Sequence, residues 1–178
     1  IARVNKDSDS EYTIELTADF SVNGFSINSS RKATILGNGH TLIMGVYGSV
    51  HVSKGAELTL GAADGNVLNI RSAEGTSNDV PGMLNIEGTC NMHSGVKLSG
   101  RVGNNYFGGG VTVSGGTFHM YGGTIEKCGI KGGSVCYGGG VAVVYGGQFI
   151  MDNGTIKDCY AESDYIDYRD PNTCFTAM

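Results

Sequence analysis

Aromatic and acidic side chains are concentrated around two glycine triplets and after residue 159. Aromatic rings stand immediately before Gly108–Gly110 and Gly138–Gly140, and further tyrosines alternate with acids in 160–178. Rings that stack on sugar faces, beside carboxylates that accept hydrogen bonds, are typical of glycan sites, and an acidic cluster could also hold Ca²⁺. The predicted ligand-binding residues are Tyr106, Phe107, Tyr137, Tyr160, Asp164, Tyr165, Asp167 and Tyr168.

Two segments around these residues carry nearly the same text. Residues 106–128 read YFGGGVTVSGGTFHMYGGTIEKC and residues 137–159 read YGGGVAVVYGGQFIMDNGTIKDC, a period of 30 to 31 residues. Periods of 20 to 50 residues indicate solenoids or arrays. Apolar residues within each copy form i, i+2 pairs such as Val111/Val113, which predicts short half-buried strands rather than helices.

Each copy holds three short strands separated by glycines, which predicts one triangular coil of a parallel β-helix. Glycine at the corners provides backbone with positive φ. Looser copies lie at 49–70, at 83–98 and nearer the N-terminus, so we expect one all-β domain of about five coils. The predicted parts of this domain are an N-terminal cap at 1–11, coils at 12–159 and a C-terminal tail or cap at 160–178.

Stacked coils predict interior ladders of like residues and a separate set of outward positions. The outward positions of one strand would be Asn91, His119 and Ile150, and the four histidines do not share one ladder, so no metal site is predicted. The tyrosines of 160–178 have a structural alternative to ligand binding, namely covering the open end of the solenoid. The predicted interior ladders are Cys90/Phe118/Phe149, Met92/Met120/Met151 and Ile86/Val113/Val143.

Five cysteines occur at spacings of 38, 8, 23 and 15 residues, without a C-x-x-C pair, so a zinc site is not predicted. Cys128 and Cys159 occupy the same place in consecutive coils. Neighbouring strands place Cα atoms about 4.8 Å apart, within the range of roughly 4.4 to 6.8 Å for disulfides. The sequence leaves open whether this pair is bridged or is a reduced, half-buried stack, and it predicts that Cys90 is a free core thiol.

The segments GGGVTVSGGTFHMYGGTI and GGGVAVVYGGQFIMDNGTI resemble the repeats of right-handed parallel β-helix proteins of the pectate-lyase-like superfamily. They are most similar to glycine-rich repeats of adhesin-like surface proteins of Gram-positive bacteria. The resemblance covers residues 12–159 and implies an extracellular or cell-surface module. Enzymes, adhesins and passive spacers all share this fold, so the fold alone does not identify the function.

The signatures of enzymatic β-helix families are missing from the repeats. Asn38-Gly39-His40 reads as a turn rather than as a catalytic Gly-His-Gly, and no two acids fall on adjacent outward positions, which general acid/base glycoside cleavage would need. We therefore expect a non-catalytic module that presents a rigid face to a glycan or a host or cell-surface protein. The alternatives are a polysaccharide lyase or glycoside hydrolase of the same group, and a spacer cut from a longer array.

The charge distribution narrows the class of partner. The formal net charge is −5 and the lysines and arginines are scattered, so the sequence predicts no nucleic-acid surface. No apolar run approaches the roughly 18 residues of a membrane span. The first residues lack the layout of a signal peptide, so we expect a mature or excised chain.

Overall fold

The computed structural model describes residues 2–6, 10–73, 82–103, 107–132 and 136–162. All regular secondary structure in these residues is β-strand, and the chain is a parallel β-solenoid. No helix within the described ranges is long and apolar enough to cross a membrane. The predicted ligand-binding residues Tyr106, Asp164, Tyr165, Asp167 and Tyr168 lie outside these ranges, as does Cys174.

The strands follow one another with short corners between them. In chain order they are β1 (Ala2–Lys6), β2 (Glu11–Leu16), β3 (Phe20–Val22), β4 (Phe25–Ile27), β5 (Lys32–Leu36), β6 (Thr41–Met44), β7 (Val50–Val52), β8 (Glu57–Leu60), β9 (Leu68–Ser72), β10 (Leu84–Ile86), β11 (Thr89–Met92), β12 (Val96–Ser99), β13 (Val102–Gly103), β14 (Val111–Ser114), β15 (Thr117–Met120), β16 (Thr124–Glu126), β17 (Gly129–Lys131), β18 (Val141–Val144), β19 (Gln148–Met151), β20 (Thr155–Lys157) and β21 (Tyr160–Glu162).

The strands assemble into four sheets that run along the solenoid. Sheet A has the order β1-β2-β5-β8-β11-β15-β19, sheet B β3-β6-β9-β12-β16-β20, sheet C β4-β7-β10-β14-β18 and sheet D β13-β17-β21. The chain completes about four turns, which separate the five strands of sheet C. The predicted all-β parallel solenoid is confirmed, and the number of turns differs by one from the predicted five.

The predicted interior ladders are confirmed by the strand register. Cys90, Phe118 and Phe149 are paired across sheet A, as are Met92, Met120 and Met151. Ile86, Val113 and Val143 are paired across sheet C. Side chains in the middle turns are fully buried, and each buried aliphatic or aromatic side chain contributes about 1.5–3 kcal/mol of hydrophobic free energy.

Sheet D is a fourth side that the prediction of three strands per coil missed. Its strands are two or three residues long, and β21 pairs with β17 through Gly129↔Tyr160 and Ile130↔Ala161. Residues 160–162 therefore belong to the coil, although the sequence assigned them to a tail without repeat character. The apolar repeat does not reveal these strands, because β13 and β17 each contain only one large apolar side chain, Val102 and Ile130 respectively.

The glycine triplets are needed mainly for close backbone approach. Gly108 and Gly138 have positive φ, as expected for corners, whereas the two glycines after each have ordinary φ. A Cβ atom on Gly109 would overlap the backbone of Gly129, and one on Gly139 would overlap the backbone of Tyr160. The triplets therefore let the corner before sheet C lie directly against sheet D.

The two ends of the solenoid differ. At the N-terminal end β1 pairs antiparallel with β2 and covers the edge of sheet A. At the C-terminal end the interior ladder residues Val143 and Met151 are 45% and 43% exposed, whereas their partners Val113 and Met120 are fully buried. Among the described residues, the last turn therefore leaves an open apolar end with a cavity of about 390 Å³.

Candidate functional site

The structure brings two of the predicted ligand-binding aromatics together. Phe107 and Tyr137 form an isolated parallel bridge, and their rings stack with centroids 5.7 Å apart at 13°. The Tyr145 ring lies edge-on to Phe107 at 6.0 Å. We call Phe107, Tyr137 and Tyr145 the edge cluster.

The edge cluster is held by the repeated glycine corners. Gly108 donates its backbone N–H to Tyr137 O at 3.0 Å, and Gly110 donates to Gly139 O at 3.0 Å, so consecutive corners are locked in register. Tyr137 is 45% exposed and Tyr145 is 76% exposed. The edge cluster is therefore a fixed aromatic surface that is open to solvent.

Sequence reasoning missed Tyr145. It stands in the turn between β18 and β19, at φ +53°, where the second copy is one residue longer than the first. That insertion was the available signal, because an added residue in a tight corner must project from the coil. The predicted Tyr160 belongs to another place, since it lies on sheet D and its ring packs over Gly129 of the preceding turn.

A second polar and aromatic surface lies on the corner that follows sheet A. The Tyr121 ring contacts the His119 ring with centroids 3.8 Å apart and the His93 ring with centroids 5.2 Å apart. His119 Nε2 and Asp152 Oδ2 are 2.7 Å apart, which is a strong hydrogen bond. We call His93, His119, Tyr121 and Asp152 the corner cluster.

The corner cluster arises from equivalent positions in three turns. His93, Tyr121 and Asp152 each follow the interior methionine that ends a strand of sheet A. His119 occupies the predicted outward position two residues before Tyr121. The histidines do not share a ladder, as predicted. The Tyr121 ring nevertheless contacts both His93 and His119, and the strand register alone does not indicate these contacts.

Three acids of the described turns pair with lysines of neighbouring turns, namely Glu57, Glu126 and Glu162. Glu57 accepts from Lys32 at 3.3 Å and from the Asn91 amide at 3.1 Å, so both of its oxygens are occupied. Glu126 lies between Lys97 and Lys157, and the hydrogen bond from Lys157 is the main cause of its lowered pKa. Such ion pairs are typical of exposed sheet faces and need no catalytic role.

The sequence predicted neither a catalytic site at His40 nor a metal site. The segment around His40 is a turn in which Asn38 has φ +51° and its Oδ1 accepts a hydrogen bond from Asn66 Nδ2 at 2.9 Å. His40 itself lies 3.8 Å from Asp19.

No group of three or more potential metal ligands is present in the described part of the chain. Of the acids in 160–178 that could hold Ca²⁺, Glu162 lies 3.6 Å from Lys131, and the others lie outside the described residues.

Cys128 and Cys159 are adjacent, unbridged thiols in the structure. They are equivalent positions, since Glu126↔Lys157 are paired before them and Gly129↔Tyr160 after them. A disulfide between them stays a prediction. Cys90 is a free thiol in the core, as predicted, and burial raises its pKa.

Comparisons of the chain with protein-family models, with curated proteins and with solved structures find no significant match. The solenoid and its surface clusters are the basis for any functional statement.

Proposed function

We propose that the chain is a non-catalytic binding module of a secreted or surface-displayed bacterial protein of the adhesin type. Its partner is a glycan or a host or cell-surface protein, and the edge cluster is the contact surface. The observation that carries the proposal is the exposure of Tyr137 and Tyr145 beside the stacked Phe107.

The physical chemistry of the edge cluster favours recognition over packing. Exposed, contiguous aromatic surface is unusual on a protein without a partner, and tyrosines are enriched at interfaces because they combine apolar area with a hydroxyl group. The register of consecutive turns holds Phe107 and Tyr137 in place. A partner would therefore bind with little loss of side-chain entropy.

The test is a glycan array, followed by a panel of cell-surface proteins, with a double variant Tyr137→Ala/Tyr145→Ala. We expect the double variant to lose at least tenfold in affinity, since aromatic anchors at interfaces cost more than about 1.4 kcal/mol on truncation. The matched control is Tyr47→Ala, because Tyr47, which is 65% exposed, is a tyrosine of intermediate exposure in a corner several turns away. A third variant, Tyr165→Ala/Tyr168→Ala, tests the remaining predicted tyrosines separately.

The outcomes separate the hypotheses. Binding that is unchanged in Tyr137→Ala/Tyr145→Ala would remove the edge cluster from the proposal. Absence of binding by the parent chain to every glycan and protein tested would favour the spacer alternative.

One observation favours the enzymatic alternative, namely the short His119–Asp152 hydrogen bond beside exposed Tyr121. An oriented imidazole can act as a general base. Release of reducing or unsaturated ends from acidic polysaccharides, abolished by His119→Gln but retained in Tyr137→Ala/Tyr145→Ala, would support catalysis at the corner cluster and overturn the non-catalytic proposal.

A further inference from the structure

The thiols of Cys128 and Cys159, at the C-terminal end of the described solenoid, lie at equivalent positions in adjacent turns. Cys128 and Cys159 each follow a residue in the left-handed region, Lys127 and Asp158, both at φ +53°. Equivalent positions in adjacent turns lie about 4.8 Å apart. The backbone N–H of Tyr160 donates to Cys128 O at 3.1 Å, which fixes the two corners against each other.

The two thiols differ in access. Cys128 is fully buried, whereas Cys159 is partly exposed and lines the cavity of about 390 Å³ at the open end. The wall of this cavity also includes the backbone of Gly138–Gly140 together with the side chains of Phe149 and Lys157. A cavity of this size admits a small organic molecule. A reagent from solvent therefore meets Cys159 first.

The environment of the pair also differentiates the sulfur atoms. While both thiols are protonated, the Cys128 thiol donates to Glu126 O at 3.3 Å and the Cys159 thiol donates to Lys157 O at 3.3 Å. When Cys159 ionises, hydrogen bonds from the Cys128 thiol and from the Cys128 backbone stabilise its thiolate, which lowers the pKa of Cys159 to about 7 against the opposing effects of burial and of Asp158 and Glu126. The same thiol hydrogen bond and burial raise the pKa of Cys128. The thiolate, which is the nucleophilic form, is therefore formed at Cys159.

We propose that Cys159 and Cys128 form a thiol–disulfide exchange site at the open end of the solenoid, with Cys159 as the attacking thiol and Cys128 as the resolving thiol. The substrate class is a small aliphatic disulfide, RS–SR. This site is independent of the edge cluster and of the binding function proposed above.

The exchange proceeds in two balanced steps. The Cys159 thiolate attacks one sulfur of RS–SR, so that a Cys159–S–S–R bond forms, the RS–SR bond breaks and RS⁻ leaves. The RS⁻ released in the first step takes the proton of the Cys128 thiol, and the resulting Cys128 thiolate attacks the Cys159 sulfur, which forms the Cys128–Cys159 bond and expels the second RS⁻. The two thiolates take up the two protons, so the protein is oxidised by two electrons and two molecules of RSH are released.

Closure of the bond requires a small movement. Cβ atoms in a disulfide lie about 3.8 Å apart, about 1 Å closer than the spacing of neighbouring strands. Cys159 lies in the last turn of the described residues, where a neighbouring turn packs on only one of its faces. Cys128, packed between two turns, stays in place.

The test uses the full chain with Cys136→Ser and Cys174→Ser, so that only the pair and buried Cys90 remain. The reduced protein is treated with bis(2-hydroxyethyl) disulfide and followed by intact mass and peptide mapping. We expect loss of two hydrogens, release of two equivalents of 2-mercaptoethanol and a single Cys128–Cys159 bridge. Limited iodoacetamide at pH 7 should label Cys159 on the order of tenfold faster than Cys128 in the native protein, and the difference should vanish in denaturant.

Two resolving-thiol variants, Cys128→Ser and Cys128→Ala, should stop the reaction at a stable mixed disulfide on Cys159. Cys159→Ser should prevent both the mixed disulfide and the bridge. The proposal is overturned if the mixed disulfide persists when Cys128 is present, if Cys128 is labelled as fast as Cys159, or if the bridge involves Cys90. The labelling ratio is measured without any change to the pair, so it decides the proposal even where a Cys128 variant fails to fold.

Discussion

At the scale of single residues, the lowered pKa of the Cys159 thiol originates mainly in the hydrogen bond from Cys128. This bond stabilises the ionised form, so the alkylation rate of Cys159 should rise with pH through a midpoint near 7. Cys128→Ala removes the thiol donor but keeps the backbone hydrogen bond from residue 128, so the effects of burial, Asp158 and Glu126 are opposed less strongly. We expect the midpoint to move up towards the ordinary range of thiols, so that alkylation at pH 7 slows several-fold.

The measurement is the rate of iodoacetamide labelling between pH 5 and 10, in the background that lacks Cys136 and Cys174. Cys90→Ala is the matched control, because it removes a buried thiol in another ladder and should leave the midpoint unchanged. An unchanged midpoint in Cys128→Ala would show that the hydrogen bond does not control the ionisation.

The second residue-scale prediction concerns the glycine triplets. Gly109→Ala places a methyl group on the backbone of Gly129, which cannot move aside as a side chain could, so we expect a loss of more than about 3 kcal/mol. Gly146→Ala is the control, because Gly146 has positive φ with nothing within 4 Å, and it should cost only about 1–2 kcal/mol of backbone strain. Urea unfolding curves of both variants check the difference, and equal costs would mean that close approach is not the reason for the triplet.

At the scale of elements, the same side chain in the same ladder has a different environment in successive turns. Met120 of β15 is fully buried between turns, whereas Met151 of β19 is 43% exposed. Met120→Ala should therefore cost about 2–5 kcal/mol, the usual range for a buried methionine. Met151→Ala should cost less than about half of that, because much of its surface is already in water.

The pair of variants is its own control, since residue type, strand position and facing direction are identical. Thermal unfolding followed by circular dichroism at strand wavelengths measures both. Equal destabilisation by the two substitutions would show that the C-terminal end is covered in solution.

The strands of sheets A, B and C could be predicted from the sequence, because their apolar i, i+2 pairs recur at a nearly constant period. The ladder of Phe118 and Phe149, stacked at 5.4 Å, follows directly from that period. Sheet D could not be predicted in the same way, since Gly129 pairs with Tyr160 and shares no side-chain character with it. The contact between Phe107 and Tyr137 could be predicted from the same repeat, because the two residues precede equivalent glycines in consecutive turns.

Side-chain contacts across a corner are harder to predict from the sequence than the interior ladders. Tyr145 reaches Phe107 because an inserted residue at φ +53° projects from the turn, and Tyr121 contacts His93 because two corners are aligned. Both depend on the local path of the backbone, which the spacing of apolar residues does not specify. Candidate sites on solenoid corners are therefore less predictable than the ladders that support them.

At the scale of the whole molecule, each turn is stabilised almost entirely by its two neighbours. In such one-dimensional folds, stability is approximately a sum of the turns and their interfaces, and terminal turns open first. The last described turn has one covered face and an exposed apolar one, whereas turns in the middle have two covered faces. The solenoid should therefore show a gradient of local stability along its axis.

Native-state hydrogen exchange tests this gradient and links it to the thiol pair. In the reduced protein, amides of β18–β20 should exchange on the order of tenfold or more faster than those of β8 and β11, whose turns are enclosed on both sides. Oxidation that joins Cys128 to Cys159 connects the last turn to the one before it and restricts its opening. Exchange in β19 and β20 should then slow, while exchange in β5 and β8 should stay the same because no interface near them changes.

The Cys159→Ser variant, treated with the same disulfide, should keep the fast exchange of the reduced protein. Uniform exchange along the axis would contradict the one-dimensional description, and slowing that spreads equally to β5 would mean that the turns unfold as one cooperative unit.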